Sequence, residues 1–72
     1  MPYYPPIFPA EGTVRTQGGV LNVRRAPNTT SAVIGTLPNG RAVTITGALN
    51  GWYAIDFGNT TGYVSAGNIS RN

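Results

Sequence analysis

The stretch that decides the fold is residues 50–65, which read NGWYAIDFGNTTGYVS. Asn50-Gly51 and Gly58-Asn59 are residue pairs typical of tight turns. Between the two turns, residues 52–57 alternate in hydrophobicity, which is the pattern of a half-buried β-strand. The residues that share its apolar face are Tyr53, Ile55 and Phe57. With residues 61–65 as a following strand, this stretch predicts a β-hairpin.

The same pattern of short alternating segments between turn residues extends outward from this hairpin. It predicts strands at 13–17, 20–24, 33–37 and 42–46, with no helix from residue 12 onward except a brief 3₁₀ turn at 66–68. Five or six short strands in so short a chain favour a small barrel or sandwich. The predicted core consists of Val14, Leu21, Val23, Val33, Ile34, Leu37, Val43, Ile45, Ile55, Phe57, Val64 and Ile69.

The beginning of the chain differs from the rest. Residues 1–11 hold four prolines, which alternate with aromatic and branched apolar side chains. Proline fixes φ and favours extended backbone before it, so we expect an extended, polyproline-like arm. This arm is either an interdomain linker or a segment that packs on the domain or a partner. The predicted organisation is an arm at 1–11 and one domain at 12–70.

Composition narrows the function classes. The 72 residues suffice for one domain, and the absence of cysteine and histidine excludes a disulfide and argues against structural zinc. The net charge of +3 suits an anionic partner or simply serves solubility. No apolar stretch is long enough to span a membrane, so we expect no membrane insertion. The first ten residues lack the pattern of a signal peptide, so export would depend on a signal elsewhere or on a larger parent chain.

The residue inventory also argues against catalysis by this chain alone. Without cysteine, histidine or lysine, the common nucleophile and base arrangements cannot be built. Glycoside hydrolysis normally needs two carboxylates at a fixed separation. The only two here are Glu11, at the end of the arm, and Asp56. We therefore expect neither an enzyme nor a bound cofactor.

Several short motifs resemble those of bacterial SH3 (Src-homology 3) domains. They are Leu21-Asn22-Val23-Arg24 with Pro27 after it, residues 33–37, Gly51-Trp52-Tyr53 and Thr61-Gly62-Tyr63-Val64-Ser65. Their order and spacing hold across residues 12–70. The resemblance implies an all-β, SH3-like barrel of five to seven short strands. Such domains usually hold cell-wall hydrolases, phage lysins or surface proteins on peptidoglycan, through its stem peptides or cross-bridges.

The chain departs from the family pattern at two places. Arg25 and Ala26 stand where a small pair often precedes the proline, and Asn68 stands where many members have a tyrosine. In eukaryotic SH3 domains that tyrosine helps to form the groove for proline-rich peptides. The resemblance therefore does not extend to a proline-binding groove.

Six residues are candidates for ligand binding, each with a structural alternative. Trp52 and Tyr63 are expected on the outer side of the sheet, as ligand-binding aromatics or as a lid and a cross-strand pair. Arg24 and Arg25 suit a carboxylate or phosphate, unless they are merely solvated. Asn28 lies in a polar loop, where it either contacts a ligand or faces water. Asp56 is expected on the same side of the sheet as Trp52, where it either contacts a ligand, is solvated or pairs with an arginine.

The function favoured by these observations is a non-catalytic, peptidoglycan-binding module of a larger hydrolase or surface protein, in the cell wall or outside the cell. Its partners would be a stem peptide or cross-bridge and a tethered catalytic domain. An alternative is protein–protein docking or oligomerisation through the N-terminal arm. Nucleic acid is not expected as a partner, because the five arginines are scattered along the chain at 15, 24, 25, 41 and 71.

Overall fold

Seven short β-strands make up one antiparallel sheet in the computed structural model, which describes residues 7–72. The sheet order is β3-β2-β6-β5-β4-β1-β7. The bounds are β1 Ala10–Val14, β2 Val20–Arg24, β3 Val33–Pro38, β4 Ala42–Leu49, β5 Trp52–Phe57, β6 Thr60–Ser65 and β7 Ile69–Arg71, with a 3₁₀ turn at Ala66–Asn68. The predicted all-β class is confirmed, and the strand number is at the upper end of the expected range.

The first strand lies three residues earlier than predicted. The sequence placed it at 13–17, whereas β1 pairs with β4 from Ala10 opposite Ile45 to Thr13 opposite Ala42. Beyond β1 the backbone leaves the ladder: the Thr16 amide donates to Asn39 Oδ1 at 2.9 Å, and Thr16 Oγ1 donates to the Gly19 carbonyl at 2.6 Å. Ala10 and Glu11, assigned to the arm, therefore belong to the sheet.

Nine apolar side chains form the buried core between the strands. All nine were predicted from the alternation, and five of them are less than 2% exposed. They are Val14, Leu21, Val23, Leu37, Val43, Ile45, Ile55, Val64 and Ile69. Ile34 and Phe57, also predicted, are half-buried and pack against this core together with Tyr53.

The prediction that Val33 belongs to the core is wrong, because its side chain is 47% exposed. The reason is a β-bulge between β2 and β3. Val23 pairs with Gly35, but the next residue, Arg24, pairs with Val33, so that Ile34 is an extra residue in β3. An extra residue reverses the side to which the following side chains point. Val33 therefore shares the outer side of the sheet with Arg24.

Glycine allows the close packing of β6 on β2. A methyl group added at Gly62 would overlap the Val23 Cγ1 atom, and one added at Gly35 would lie 2.5 Å from Cζ of Phe57. These two positions thus let a core valine and the Phe57 ring lie directly against neighbouring backbone. Next to Gly62, β6 pairs with β2 at Tyr63 opposite Arg24.

Part of the predicted arm is attached to the barrel. Phe8 is half-buried against the core, and the Arg71 guanidinium carbon lies 5.7 Å from the centre of its ring. The backbone amide of Asn72 donates to the Glu11 carbonyl at 3.0 Å, which holds the C-terminal end beside β1. Residues 1–6, where most of the arm-docking hypothesis falls, lie outside the described residues.

Replacing Phe8 with alanine is expected to lower the free energy of unfolding by about 1–2 kcal/mol. The substitution removes a half-buried aromatic ring and its cation–π contact with Arg71. Urea unfolding of the full chain, followed by circular dichroism, measures the change. The matched control is Ile7→Ala: Ile7 is 81% exposed, and its replacement should change stability by less than about 0.5 kcal/mol. Equal effects of the two substitutions would mean that Phe8 is not anchored.

Candidate ligand-binding face

A two-residue turn determines the position of Trp52. Asn50 and Gly51 have φ values of 48° and 86°, the two positive values that a type I′ hairpin turn requires. The turn places Trp52 opposite Leu49 of β4, and on its other side Trp52 pairs with Ser65 of β6. The Ala66 amide donates to the Gly51 carbonyl at 2.8 Å, which ties the turn to the end of β6. The half-buried Trp52 side chain is thus attached to a well-fixed backbone.

Tyr63 lies beside Trp52 on the outer side of the sheet, as the alternation predicted. It pairs with Ala54 of β5 and is flanked by the buried Gly62 and Val64, which point inward. Because Trp52 precedes Ala54 by two residues, Trp52 and Tyr63 are diagonal neighbours, whose Cα atoms typically lie about 7–8 Å apart. Both side chains are half-buried, so each aromatic ring keeps part of its surface open to solvent.

Arg24 continues this row on the next strand. It pairs with Tyr63, and its Nη1 atom donates to the Ser31 carbonyl at 2.8 Å. That bond uses one of the five N–H donors of the guanidinium and restricts the orientation of the group. The half-buried Arg24 thus directs its guanidinium to the β2–β3 loop, on the strand next to that of Tyr63.

Two apolar residues at the ends of the row were not recognised as site residues from the sequence. Val33 of β3 lies opposite Arg24 of β2 because of the bulge at Ile34. Leu49 stands opposite Trp52 because a second irregularity, between Ile45 and Gly47 of β4, reverses the alternation that would otherwise direct it inward. Leu49 is 53% exposed. A glycine inside a strand is a known indication of a bulge, and Gly35 and Gly47 supply that signal.

These residues follow one another across the outer side of the sheet, and the row is named here the Trp52 patch: Leu49, Trp52, Tyr63, Arg24 and Val33. They come from the five neighbouring strands β4, β5, β6, β2 and β3. Measured along the curved sheet, the four spacings between these strands amount to about 19 Å. The patch presents aliphatic groups at both ends, two aromatic rings and one guanidinium.

Arg25 and Asn28 lie in the loop that follows Arg24. The exposed Arg25 donates its backbone amide to the Ala32 carbonyl at 2.9 Å. Asn28 Oδ1 accepts from the Thr30 amide at 3.2 Å and from Thr30 Oγ1 at 3.1 Å. These bonds shape the loop that supplies the Ser31 carbonyl to Arg24. The structure therefore places both residues at the border of the Trp52 patch, with the Asn28 carbonyl oxygen engaged inside the loop.

Asp56 is the predicted site residue that the structure does not bring to the patch. It points to the same side of the sheet as Trp52, but it lies four residues further along β5, opposite Thr61. Four residues of strand correspond to about 13 Å. The six predicted residues thus divide into five at or beside the patch and one at the other end of β5.

Residues 7–72 contain no group of three or more histidine, cysteine, aspartate or glutamate side chains arranged to hold a metal ion. None of the helical structure described there has the length and hydrophobicity needed to cross a membrane.

The fold and the patch define a small SH3-like barrel with an aromatic and basic face, the class expected from the sequence motifs. Residues 19–70 match the sequence model of the bacterial SH3 domain family, and the chain belongs to that family. Members of this family are commonly binding modules and typically carry no catalytic activity. No curated protein matches the chain.

Proposed function

We propose that this domain is a targeting module that binds peptidoglycan through the Trp52 patch and holds a tethered catalytic or surface protein at the cell wall, outside the cell. The observation that carries the proposal is the alignment of Trp52, Tyr63 and Arg24 across three adjacent strands. Family membership supports a binding role in general, and the patch supports this particular ligand class.

The chemistry of the patch suits an extended peptide that carries a carboxylate. A tryptophan and a tyrosine offer flat apolar surface together with N–H and O–H groups, and such residues contribute much of the energy at binding sites. The fork of N–H donors on Arg24 matches the geometry of a carboxylate. Val33 and Leu49 would contact small aliphatic side chains at the two ends.

Rigid positioning of these side chains also favours binding. The type I′ turn fixes Trp52, and the Ser31 carbonyl restrains Arg24 at 2.8 Å from its Nη1 atom. Side chains that are already ordered lose less conformational entropy when a ligand binds. The patch would therefore bind with little rearrangement of the barrel.

Peptidoglycan binding is tested by co-sedimentation of the full chain with purified, teichoic-acid-free peptidoglycan at low and high salt. We expect pelleting that persists at high salt, because most of the patch is apolar or aromatic and only Arg24 contributes a charge. The chain has one tryptophan, so its fluorescence reports directly on the patch and should change on binding.

Two outcomes would contradict the proposal. Pelleting that disappears at high salt would indicate general attraction of the net charge of +3 to an anionic polymer. Pelleting without any change in tryptophan fluorescence would place the binding surface elsewhere on the domain.

A further inference from the structure

The β2–β3 hairpin, residues 20–38, has little strand pairing with the rest of the sheet, which is called here the body. β3 is the last strand of the sheet order, and β2 pairs with β6 at one position, Arg24 opposite Tyr63. By contrast, β5 and β6 are paired at six positions, and β2 and β3 at five. Within residues 7–72, backbone pairing therefore holds the hairpin together far better than it holds the hairpin to the body.

Side-chain hydrogen bonds of the hairpin are internal as well. Arg24 Nη1 donates to the Ser31 carbonyl at 2.8 Å, and Ser31 Oγ donates to the Ala26 carbonyl at 2.9 Å. Donor and acceptor lie within residues 20–38 in both cases. These bonds stay intact if the hairpin moves as one piece, so they do not oppose its separation from β6.

The two chain connections of the hairpin meet at one place. The Thr16 amide, in the connection before β2, donates to Asn39 Oδ1, in the connection after β3, at 2.9 Å. The Gly40 amide donates to the Val14 carbonyl at 2.8 Å, which fixes the second connection to β1. Gly18 has a φ of 106°, and a methyl group added there would meet no atom within 4 Å. The two connections therefore form one hinge, anchored on β1, with free space around Gly18.

Apolar contact holds the hairpin closed. Leu21, Val23 and Leu37 belong to the core, and Val23 lies directly on the backbone of Gly62 in β6. Opening exposes these three side chains, whereas the other six core residues stay together in the body. Opening therefore costs a part of the free energy of unfolding and not the whole of it.

We propose that the β2–β3 hairpin opens and closes as one unit on this hinge while the body stays folded. The open state divides the Trp52 patch, because Arg24 and Val33 move with the hairpin, whereas Tyr63 and Trp52 stay on the body. A ligand that contacts both parts binds the closed state only and thereby holds the hairpin shut. This consequence for binding rests on the proposed function, whereas the opening itself does not.

The test is amide hydrogen exchange of the ¹⁵N-labelled full chain, followed by NMR at several urea concentrations below the unfolding transition. The amides that bond β2 to β3 should exchange about tenfold or more faster, after correction for intrinsic rates, than those that bond β4, β5 and β6 to one another. The hairpin amides should share one urea dependence, smaller than that of the body amides. A shared dependence indicates one cooperative opening, because urea acts in proportion to the surface exposed.

A matched pair of substitutions separates opening of the hairpin from unfolding of the whole domain. Ile69→Val removes one carbon from the core on the body side, so it should speed exchange of the body amides about threefold to tenfold and leave the hairpin amides unchanged. Ile34→Val makes the same change in the hairpin, where Ile34 packs against the core. It should speed both sets of amides by the same factor, because opening and unfolding both remove this contact.

Three results would overturn the proposal. The first is equal exchange, after correction for intrinsic rates, of the hairpin and body amides. The second is hairpin amides that exchange at unrelated rates with no dependence on urea, which would indicate local fluctuations of single residues. The third is an equal effect of Ile69→Val on both sets. None of these results bears on peptidoglycan binding, which is measured separately.

Discussion

Replacing Ile45 with alanine is expected to leave little of the domain folded at room temperature. Ile45 is 0% exposed, and it pairs with Ala10 on one side and Ile55 on the other, so no solvent can fill the space that the substitution creates. Such replacements cost about 2–5 kcal/mol. A domain of this size without disulfides or metals rarely has more than about 3–5 kcal/mol of total stability. Urea unfolding, followed by circular dichroism, measures the loss.

The matched control for Ile45→Ala is Val33→Ala. Plain alternation along β3 puts Val33 in the core, whereas the bulge at Ile34 leaves it 47% exposed. We therefore expect Val33→Ala to cost less than about 1 kcal/mol. A loss from Val33→Ala as large as that from Ile45→Ala would mean that the bulge is not formed and that the Trp52 patch ends at Arg24.

Replacing Trp52 with alanine is expected to weaken peptidoglycan binding about thirtyfold or more, the effect of removing an aromatic residue worth about 2 kcal/mol at the centre of an interface. Trp52 lies between Leu49 and Tyr63 in the patch, so its loss removes the contact surface that joins them. Trp52 is only half-buried and is not part of the core cluster, so the barrel should stay folded. Circular dichroism of the variant checks the fold.

The predictable part of the fold is the part where local signals agree with one another. Both ends of β5 were predicted correctly, because each end is marked by a turn with the residues that its geometry needs. Asn50-Gly51 has two positive φ values, and Gly58 has a φ of 64°. The position of β1 was wrong because its pairing depends on β4 and β7, which are distant in sequence. The alternation of side chains within one strand does not show which distant strands it pairs with.

The site was predictable to the extent that alternation held. Trp52 and Tyr63 were correctly assigned to the outer side of the sheet, because no bulge interrupts the β5–β6 pair from Trp52 to Phe57. Val33 was missed because it precedes the bulge at Ile34, and Leu49 was missed because it follows the irregularity between Ile45 and Gly47. Each irregularity reverses the side of the sheet that alternation predicts. A bulge is a property of two paired strands, so Gly35 and Gly47 indicate that a bulge is near but not which residue is the extra one.

The acidic end of β5 illustrates a different limit. Alternation showed that Asp56 and Trp52 point to the same side of the sheet, but it did not show which residues surround each of them. The separation of β4 from β5 beyond Ile45 places Asp56 on the rim of a cleft with Arg41. The end of the β4–β5 pairing at Ile45 has no local sequence signal that we recognise.

The most direct test of the Trp52 patch is co-sedimentation with peptidoglycan at high salt of three proteins: the native chain, Trp52→Ala and Val20→Ala. Val20 is the matched control, because it is 60% exposed on the same side of β2 as Arg24 but about 13 Å away along the strand. We predict pelleting of the native and Val20→Ala proteins and loss of pelleting by folded Trp52→Ala. Undiminished pelleting of folded Trp52→Ala would contradict the assignment of this patch as the ligand-binding face.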